Sequence, residues 1–187
     1  IEAASRIGQI DTVWIDAAWF TKGYAGGVGN YSCSEGFPNG LRPVSDYAHK
    51  NGMRFLIWFE MERADIGTEW HDIEPNLLKL NETFPHTLIN LGDDGARQRM
   101  EENLIRIITE YGIDIYRQDF NIDPYDYLKS IETPDRIGIP QIRFVEGMYK
   151  MWEALQQRFP GLIIDNCASG GRLLDVETCM RSIPLLR

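Results

Sequence analysis

The segment Ile113-Asp114-Ile115-Tyr116-Arg117-Gln118-Asp119 decides the fold, because it is a short apolar run that ends in polar residues directly after a helix. From about Arg97 to Tyr111, apolar residues recur at helical spacing and form one stripe. Gly112 then gives a helix stop signal. The run that follows predicts a short strand leading to Asp119, so the unit is a helix, a glycine, a strand and an acid.

The same unit occurs at three other places in the chain. Each has a helical pattern, a glycine and an apolar run that reaches an acidic residue. The three runs with their stop glycines and acids are Gly8 with 12–15 and Asp16, Gly52 with 54–59 and Glu60, and Gly161 with 162–164 and Asp165. The repetition predicts four strands alternating with helices.

Strands that alternate with helices predict right-handed βαβ crossovers and a parallel sheet. Parallel strands point the same way, so their four acids are expected at one rim. In a (β/α)8 TIM barrel that rim holds the active site. A doubly wound sheet is the alternative, but no Gly-x-Gly-x-x-Gly follows the first strand. We predict a single α/β domain over residues 1–187, an incomplete TIM barrel of about strands 2 to 5 that is truncated at both ends.

Composition narrows the classes of partner. The chain has 187 residues with 19 Lys and Arg against 28 Asp and Glu, and this acidic balance argues against nucleic acid or an anionic membrane. Three Cys and three scattered His residues form no paired metal motif, so we expect no metal and no other cofactor. No run of 18 apolar residues is present, so no membrane span is expected. The compartment is left open, with the cytoplasm favoured.

A rim rich in carboxylates suits glycoside hydrolysis, in which one carboxylate attacks the anomeric carbon and another protonates the leaving oxygen. Nearby aromatic residues offer stacking surfaces for a sugar ring. The alternatives are structural, since an acid at a strand end is often a helix cap or an ion-pair partner and a strand Trp is usually core. A magnesium site would also use several carboxylates.

The segment around Asp119 resembles a known family. Tyr116-Arg117-Gln118-Asp119-Phe120-Asn121 is similar to the Lys-Trp-Asp-Met-Asn segment around the nucleophile of glycoside hydrolase family 36, the microbial α-galactosidases. Four further segments resemble that family in the same order. They are Trp14-Ile15-Asp16-Ala17-Ala18-Trp19-Phe20, Phe37-Pro38-Asn39-Gly40-Leu41, Trp58-Phe59-Glu60-Met61-Glu62 and Asp165-Asn166-Cys167-Ala168-Ser169-Gly170-Gly171-Arg172.

The resemblance implies roles at matching positions. Asp119 falls on the nucleophile, which forms a covalent glycosyl-enzyme that water opens with retention. Arg117 stands where the family has a Lys that contacts sugar hydroxyls, and its planar fork binds differently. Asp16 matches the first of two carboxylates that hold the galactose O4 and O6 hydroxyls. Ala17 replaces the second, which puts part of that contact in doubt.

Further substrate contacts are implied on three segments. Trp58 and Glu60 match a wall of the galactose pocket, and Trp19 and Asn121 are expected to contact substrate. Asn121 is equally well explained as a loop residue that stabilises the strand end. The residues that match the loop facing the 2-hydroxyl are Cys167, Gly170 and Gly171. Arg172 and Asp175 are as readily explained by structural pairing as by substrate contact.

The family's general acid/base is an Asp at the end of the next strand, usually after a Ser, and we expect it shortly after Arg187. The chain by itself is then expected to have little turnover, because general acid catalysis contributes about 10²–10⁴-fold. The expected substrates are galactoside oligosaccharides such as melibiose or raffinose. Alternatives are an α-N-acetylgalactosaminidase, a transglycosylase and a non-catalytic sugar-binding barrel. Unpaired strand edges leave room for a homo-oligomer.

Overall fold

The protein is described by a computed structural model that covers residues 1–8, 10–81 and 83–185. Its strands are β1 (Thr12–Ile15), β2 (Arg54–Phe59), β3 (Arg63–Asp65), β4 (Leu77–Leu78), β5 (His86–Ile89), β6 (Ile115–Gln118) and β7 (Ile163–Asn166). Its helices are α1 (Glu2–Ile7), α2 (Arg42–Lys50), α3 (Glu69–Ile73), α4 (Asp94–Tyr111), α5 (Tyr125–Lys129), α6 (Ile139–Arg158), α7 (Ala168–Gly171) and α8 (Val176–Cys179). Within these ranges no helix is long and apolar enough to cross a membrane.

Four strands form a parallel sheet in the order β1-β2-β6-β7, which follows their order in the chain. The register pairs Ile57 with Tyr116, and Tyr116 with Ile164. The predicted parallel sheet is therefore confirmed, and β1 and β2 have the predicted bounds. β6 and β7 reach further than predicted, to Gln118 and Asn166, because polar residues inside the protein still pair along the ladder.

A second, antiparallel sheet in the order β3-β5-β4 was not predicted. It lies in the connection between β2 and α4. Its strands have only two to four residues, and such short runs carry little periodicity. Within this connection the Ile89 amide donates to the Glu62 carbonyl at 2.7 Å, which ties β5 to the residues that follow β2.

The long helices α4 and α6 pack against each other beside the sheet. α4 begins at a cap, where the Asp93 carboxylate accepts from the Ala96 amide at 2.8 Å, and ends at Gly112 with a φ of 64° as predicted. α6 passes very close to the loop between β5 and α4. A Cβ on Gly147 would lie 1.9 Å from the Leu91 carbonyl oxygen, so glycine is required there.

Candidate active site

Asp119 follows β6 and continues its ladder, because its amide donates to the Phe59 carbonyl at 2.8 Å. Its carboxylate is held from two neighbouring strand ends. Oδ2 accepts from the Trp58 indole Nε1 at 3.0 Å, and Oδ1 accepts from the Ser169 amide at 2.9 Å. The carboxylate therefore has a fixed orientation between the ends of β2 and β7.

These contacts also set the charge of Asp119. Partial burial would raise its pKa, but hydrogen bonds from Trp58, the Ser169 amide, Cys167 and Asn121 outweigh burial and hold the pKa below its usual value. Asp119 is thus an ionised carboxylate at neutral pH. That is the state a nucleophile needs.

A cavity of about 360 Å³ opens at this carboxylate. Its lining residues come from the ends of β6 and β7, from α7 and the residues just after it, and from the segment after α8, and they are Arg117, Asp119, Asn166, Cys167, Ser169, Gly170, Gly171, Leu174, Pro184 and Leu185. The volume suits a small polar ligand such as one sugar ring. Arg117, Cys167, Gly170 and Gly171, all expected from the sequence, meet at this cavity.

The turn α7 has an unusual backbone. Its four residues Ala168, Ser169, Gly170 and Gly171 all have positive φ, with values of 46°, 52°, 85° and 113°. Ala and Ser rarely adopt this conformation, because their Cβ approaches the following carbonyl. Here the conformation aims the Ser169 amide at Asp119. Ser169 was not predicted as a site residue, and its place beside two glycines was the available signal.

Glu60 is not among the residues that line the cavity. Its side chain is 0% exposed and forms an ion pair with Arg63 at 3.2 Å. Its Oε1 accepts from the Asn121 amide at 2.8 Å and its Oε2 from the Asn121 Nδ2 at 3.3 Å. Asn121 also has partners within the protein, since its Oδ1 accepts from the Ser169 hydroxyl at 2.6 Å. The loop explanation for Asn121 fits this structure better than a sugar contact.

Trp19 lies in the core with 1% of its surface exposed. Its indole Nε1 donates to the Trp58 carbonyl at 2.8 Å, and its ring packs edge-on against Phe59 at 5.5 Å. Trp58 is 2% exposed, and the ring of Tyr24 covers it at 5.8 Å. In this structure Trp19 supports Trp58, and Trp58 touches Asp119.

Arg117 and Asp165 form an ion pair within β6 and β7, and both are buried. The Arg117 guanidinium lies over the Trp14 ring at 4.7 Å, and the Asp165 Oδ1 accepts from the Leu185 amide at 2.9 Å. Asp165 was predicted at the rim but lies within β7, where its ion pair joins two strands. The expected acid/base position beyond Arg187 lies outside the described residues, as do Leu186 and Arg187.

Asp16 is half-buried at the end of β1, where its Oδ1 accepts from the Ala17 amide at 2.8 Å. Cys167 is half-buried directly before the turn 168–171 that follows β7 (the β7 turn). Partial burial raises the pKa of its thiol. Arg172 donates to the Phe120 carbonyl at 3.0 Å, and Asp175 caps α8. Both therefore have structural partners.

Glu62 is a buried acid that the sequence analysis quoted without giving it a role. It is held by the Gln118 side-chain amide, whose oxygen accepts from the Trp152 indole at 2.6 Å. Burial raises the pKa of Glu62 to about 8, so it is mostly protonated at neutral pH. Among the described residues, no group of three or more His, Cys, Asp or Glu side chains is arranged to hold a metal ion.

Similarity to known proteins agrees with this geometry. Over 146 residues the chain is 29% identical to the α-galactosidase Mel36A of Lactobacillus acidophilus, which covers 75% of the chain and 20% of that enzyme. The α-galactosidase of Lactobacillus brevis superposes with a TM-score of 0.84 at 22% identity, over 97% of the chain and 25% of that structure. The GH36 α-galactosidase AgaA of Geobacillus stearothermophilus, in complex with raffinose, superposes with a TM-score of 0.81 at 18% identity, over 97% and 27%.

The chain spans about a fifth to a quarter of the length of these relatives. The two superpositions describe the fold, which is the α/β fold of the GH36 catalytic domain. The Melibiase family profile matches residues 1–184, nearly the whole chain. The parallel sheet, the ionised carboxylate at the end of β6 and this match lead to one conclusion. The chain belongs to the Melibiase family of α-galactosidase glycosidases.

Proposed function

We propose that the complete protein that carries this chain is a retaining α-galactosidase with Asp119 as its nucleophile. The observation that carries the proposal is the Asp119 carboxylate, which is ionised, is oriented by Trp58 and Ser169, and faces a cavity of about 360 Å³. Relatives with this fold bind raffinose and stachyose, which supports a galactoside oligosaccharide as substrate.

In the first step an Asp119 oxygen attacks the anomeric carbon of galactose, and the bond to the leaving oxygen breaks as that oxygen takes a proton from a general acid. In the second step water, deprotonated by the same group, displaces Asp119 with net retention. Among the described residues that line the cavity, Asp119 is the one carboxylate. We propose that the acid/base comes from the remainder of the protein, on a (β/α)8 barrel that β1, β2, β6 and β7 help to form.

The other site residues then have defined roles. Asp16 accepts hydrogen bonds from galactose hydroxyls at the end of β1. Gly170 and Gly171 allow the sugar to approach the backbone of the β7 turn, with Cys167 beside them, because neither glycine carries a Cβ. Arg117 keeps positive charge at the cavity floor while paired with Asp165.

The test is an assay of the complete protein on nitrophenyl α-galactoside and nitrophenyl α-N-acetylgalactosaminide. Asp119→Asn should lower turnover of the galactoside by at least about 10³-fold, because it removes the nucleophile. Asp123→Asn changes a carboxylate on the same loop that caps the Tyr125 amide, and should keep activity within about twofold.

Wild-type turnover by Asp119→Asn would disprove the nucleophile assignment. Preference for the N-acetylgalactosaminide would replace the substrate with that sugar. Binding of galactose without hydrolysis of either compound would identify a sugar-binding protein. Residues 1–187 expressed alone should turn over little, because the proposed acid/base is worth about 10²–10⁴-fold.

A further inference from the structure

Three polar side chains connect the end of β2 to the nucleophile through a continuous path of hydrogen bonds. The path runs from Glu60 to Asn121 and from Asn121 to Ser169, and it ends on the Asp119 carboxylate. Each step crosses from one strand end to another. A path of this kind fixes the relative positions of three loops around one carboxylate.

The path begins in the interior at Glu60. Its side chain is fully buried and ion-paired with Arg63, so the charge of Glu60 is compensated where it stands. Two bonds from Asn121, one from its amide and one from its Nδ2, hold the two carboxylate oxygens. Asn121 therefore connects Glu60 to the residues at the cavity through hydrogen bonds.

Asn121 makes contacts in three directions. Besides Glu60, its Nδ2 donates to the Asp119 carbonyl at 3.1 Å, and its Oδ1 accepts from the Ser169 hydroxyl at 2.6 Å. The Ser169 hydroxyl and amide thus point to two residues of the same loop, one to Asn121 and one to Asp119. With a φ of 52°, Ser169 needs such partners to keep its amide aimed at the carboxylate.

We infer that Glu60, Asn121 and Ser169 are positioning residues that hold the Asp119 carboxylate in its attacking orientation. The inference rests on the proposed function, because it assumes that Asp119 is the nucleophile. A displacement of about 1 Å at a reacting group costs on the order of 10²-fold in rate, so a brace of this kind has a measurable effect.

The first test is Asn121→Ala in the complete protein. We expect kcat on nitrophenyl α-galactoside to fall about 10- to 100-fold, while the inhibition constant of free galactose stays within about twofold. The acidic limb of the kcat/KM profile should move to higher pH, because Asn121 helps to hold the pKa of Asp119 low. Weaker galactose inhibition with an unchanged kcat would instead make Asn121 a sugar contact alone, and that result would overturn the inference.

The second test compares two buried glutamates. Glu60→Gln should lower kcat about 10-fold or more, again with galactose inhibition unchanged. Glu74→Gln is the matched control, since Glu74 is also buried and paired with an arginine, Arg99, at 2.7 Å, but has no bond that leads to Asp119. It should lose stability and keep kcat. Equal kcat losses in the two variants would show that Glu60 acts only on the fold.

Ser169→Gly tests the path without disturbing the interior, because Ser169 is exposed and glycine keeps the same φ. It removes the hydroxyl bond to Asn121 and leaves the amide bond to Asp119. A kcat loss of about 3- to 10-fold is expected. Unchanged kcat in both Ser169→Gly and Asn121→Ala would reject the proposed positioning role even if Glu60→Gln fails to fold. An inactive wild-type protein would instead reject the proposed function.

Discussion

Two loops hold the Asp119 carboxylate, and they do so by different physical means. The end of β2 supplies Trp58 and the loop 60–62, whose side chains are large and buried. The end of β7 supplies the turn 168–171, whose residues are small and, apart from Ala168, accessible, with positive φ throughout. One side fixes the carboxylate by packed side chains, and the other by a backbone amide.

The two sides differ because the β7 side has to leave space for a ligand, whereas the β2 side does not. Buried side chains such as Trp58 and Glu60 cannot move without disrupting the core, so they give rigid positions. A backbone amide in a turn of small residues takes up little space, so a ligand has room to reach Asp119 from the β7 side. That side carries backbone strain, of order 1–3 kcal/mol for each residue in a sparsely populated conformation.

The largest effect is expected at the buried ion pair between Arg117 and Asp165, which joins β6 and β7. Asp165→Asn removes the carboxylate partner of the buried Arg117, and leaving a buried charge unpaired costs about 3–5 kcal/mol of unfolding free energy. Asp114→Asn at the opposite end of β6 is the control. Asp114 also bridges strands, through the Phe55 amide at 2.7 Å, but it is partly exposed and should cost about 1 kcal/mol. Denaturant unfolding of the complete protein measures both, and equal losses would contradict the importance of burial.

The β2 side is tested by Trp58→Phe, which keeps an aromatic ring and removes the indole donor to Asp119. A hydrogen bond to a charged group is worth about 1.5–3 kcal/mol, so kcat/KM should fall roughly 10- to 100-fold. The acidic limb of the pH profile of kcat/KM should move to higher pH, because the pKa of Asp119 rises when this donor is lost. Trp152→Phe, which removes the donor to Gln118, should lower stability without moving the limb.

The backbone of the β7 turn is tested by Gly171→Ala. The residue has a φ of 113°, and an added Cβ would lie 2.9 Å from the Leu174 Cδ1. We expect a loss of about 1–3 kcal/mol in unfolding free energy and a weaker galactose inhibition. Gly161→Ala has open space and no positive φ, so thermal unfolding should change by no more than about 0.5 kcal/mol. If Gly171→Ala has the same unfolding free energy as the wild type, backbone strain is not a difference between the β2 side and the β7 side.

The pH dependence of stability also tests the β2 side. Burial raises the pKa of Glu62 from its ordinary 4.5 to about 8. The folded protein therefore binds this proton more tightly than the unfolded chain does, and stability falls as pH rises between these two values. Glu62→Gln mimics the protonated acid and should flatten that part of the curve. Melting temperatures from pH 5 to 8 test this, and an unchanged slope would show that Glu62 is ionised in the fold.

Sequence patterns predicted the elements whose signals are local. The strand 12–15, the strand 54–59 and the stops at Gly8 and Gly112 came from periodicity and from the preference of glycine for positive φ. The antiparallel strands β3, β4 and β5 were missed, because runs of two to four residues have no measurable period. Asp165 was predicted at the rim and lies inside β7, since no local pattern indicates an ion pair with Arg117 across 48 residues.

The sequence by itself determined the parallel order of helices and strands and the place of Asp119 at a strand end, because both follow from local patterns and chain direction. It also carried the five segments that resemble GH36. Only the tertiary structure decided which neighbours face Asp119. Trp19 and Glu60 turn into the core, and Ser169 turns its amide to the carboxylate. Hydrogen bonds between distant residues and burial depend on how strands meet in space, which residue types alone do not specify.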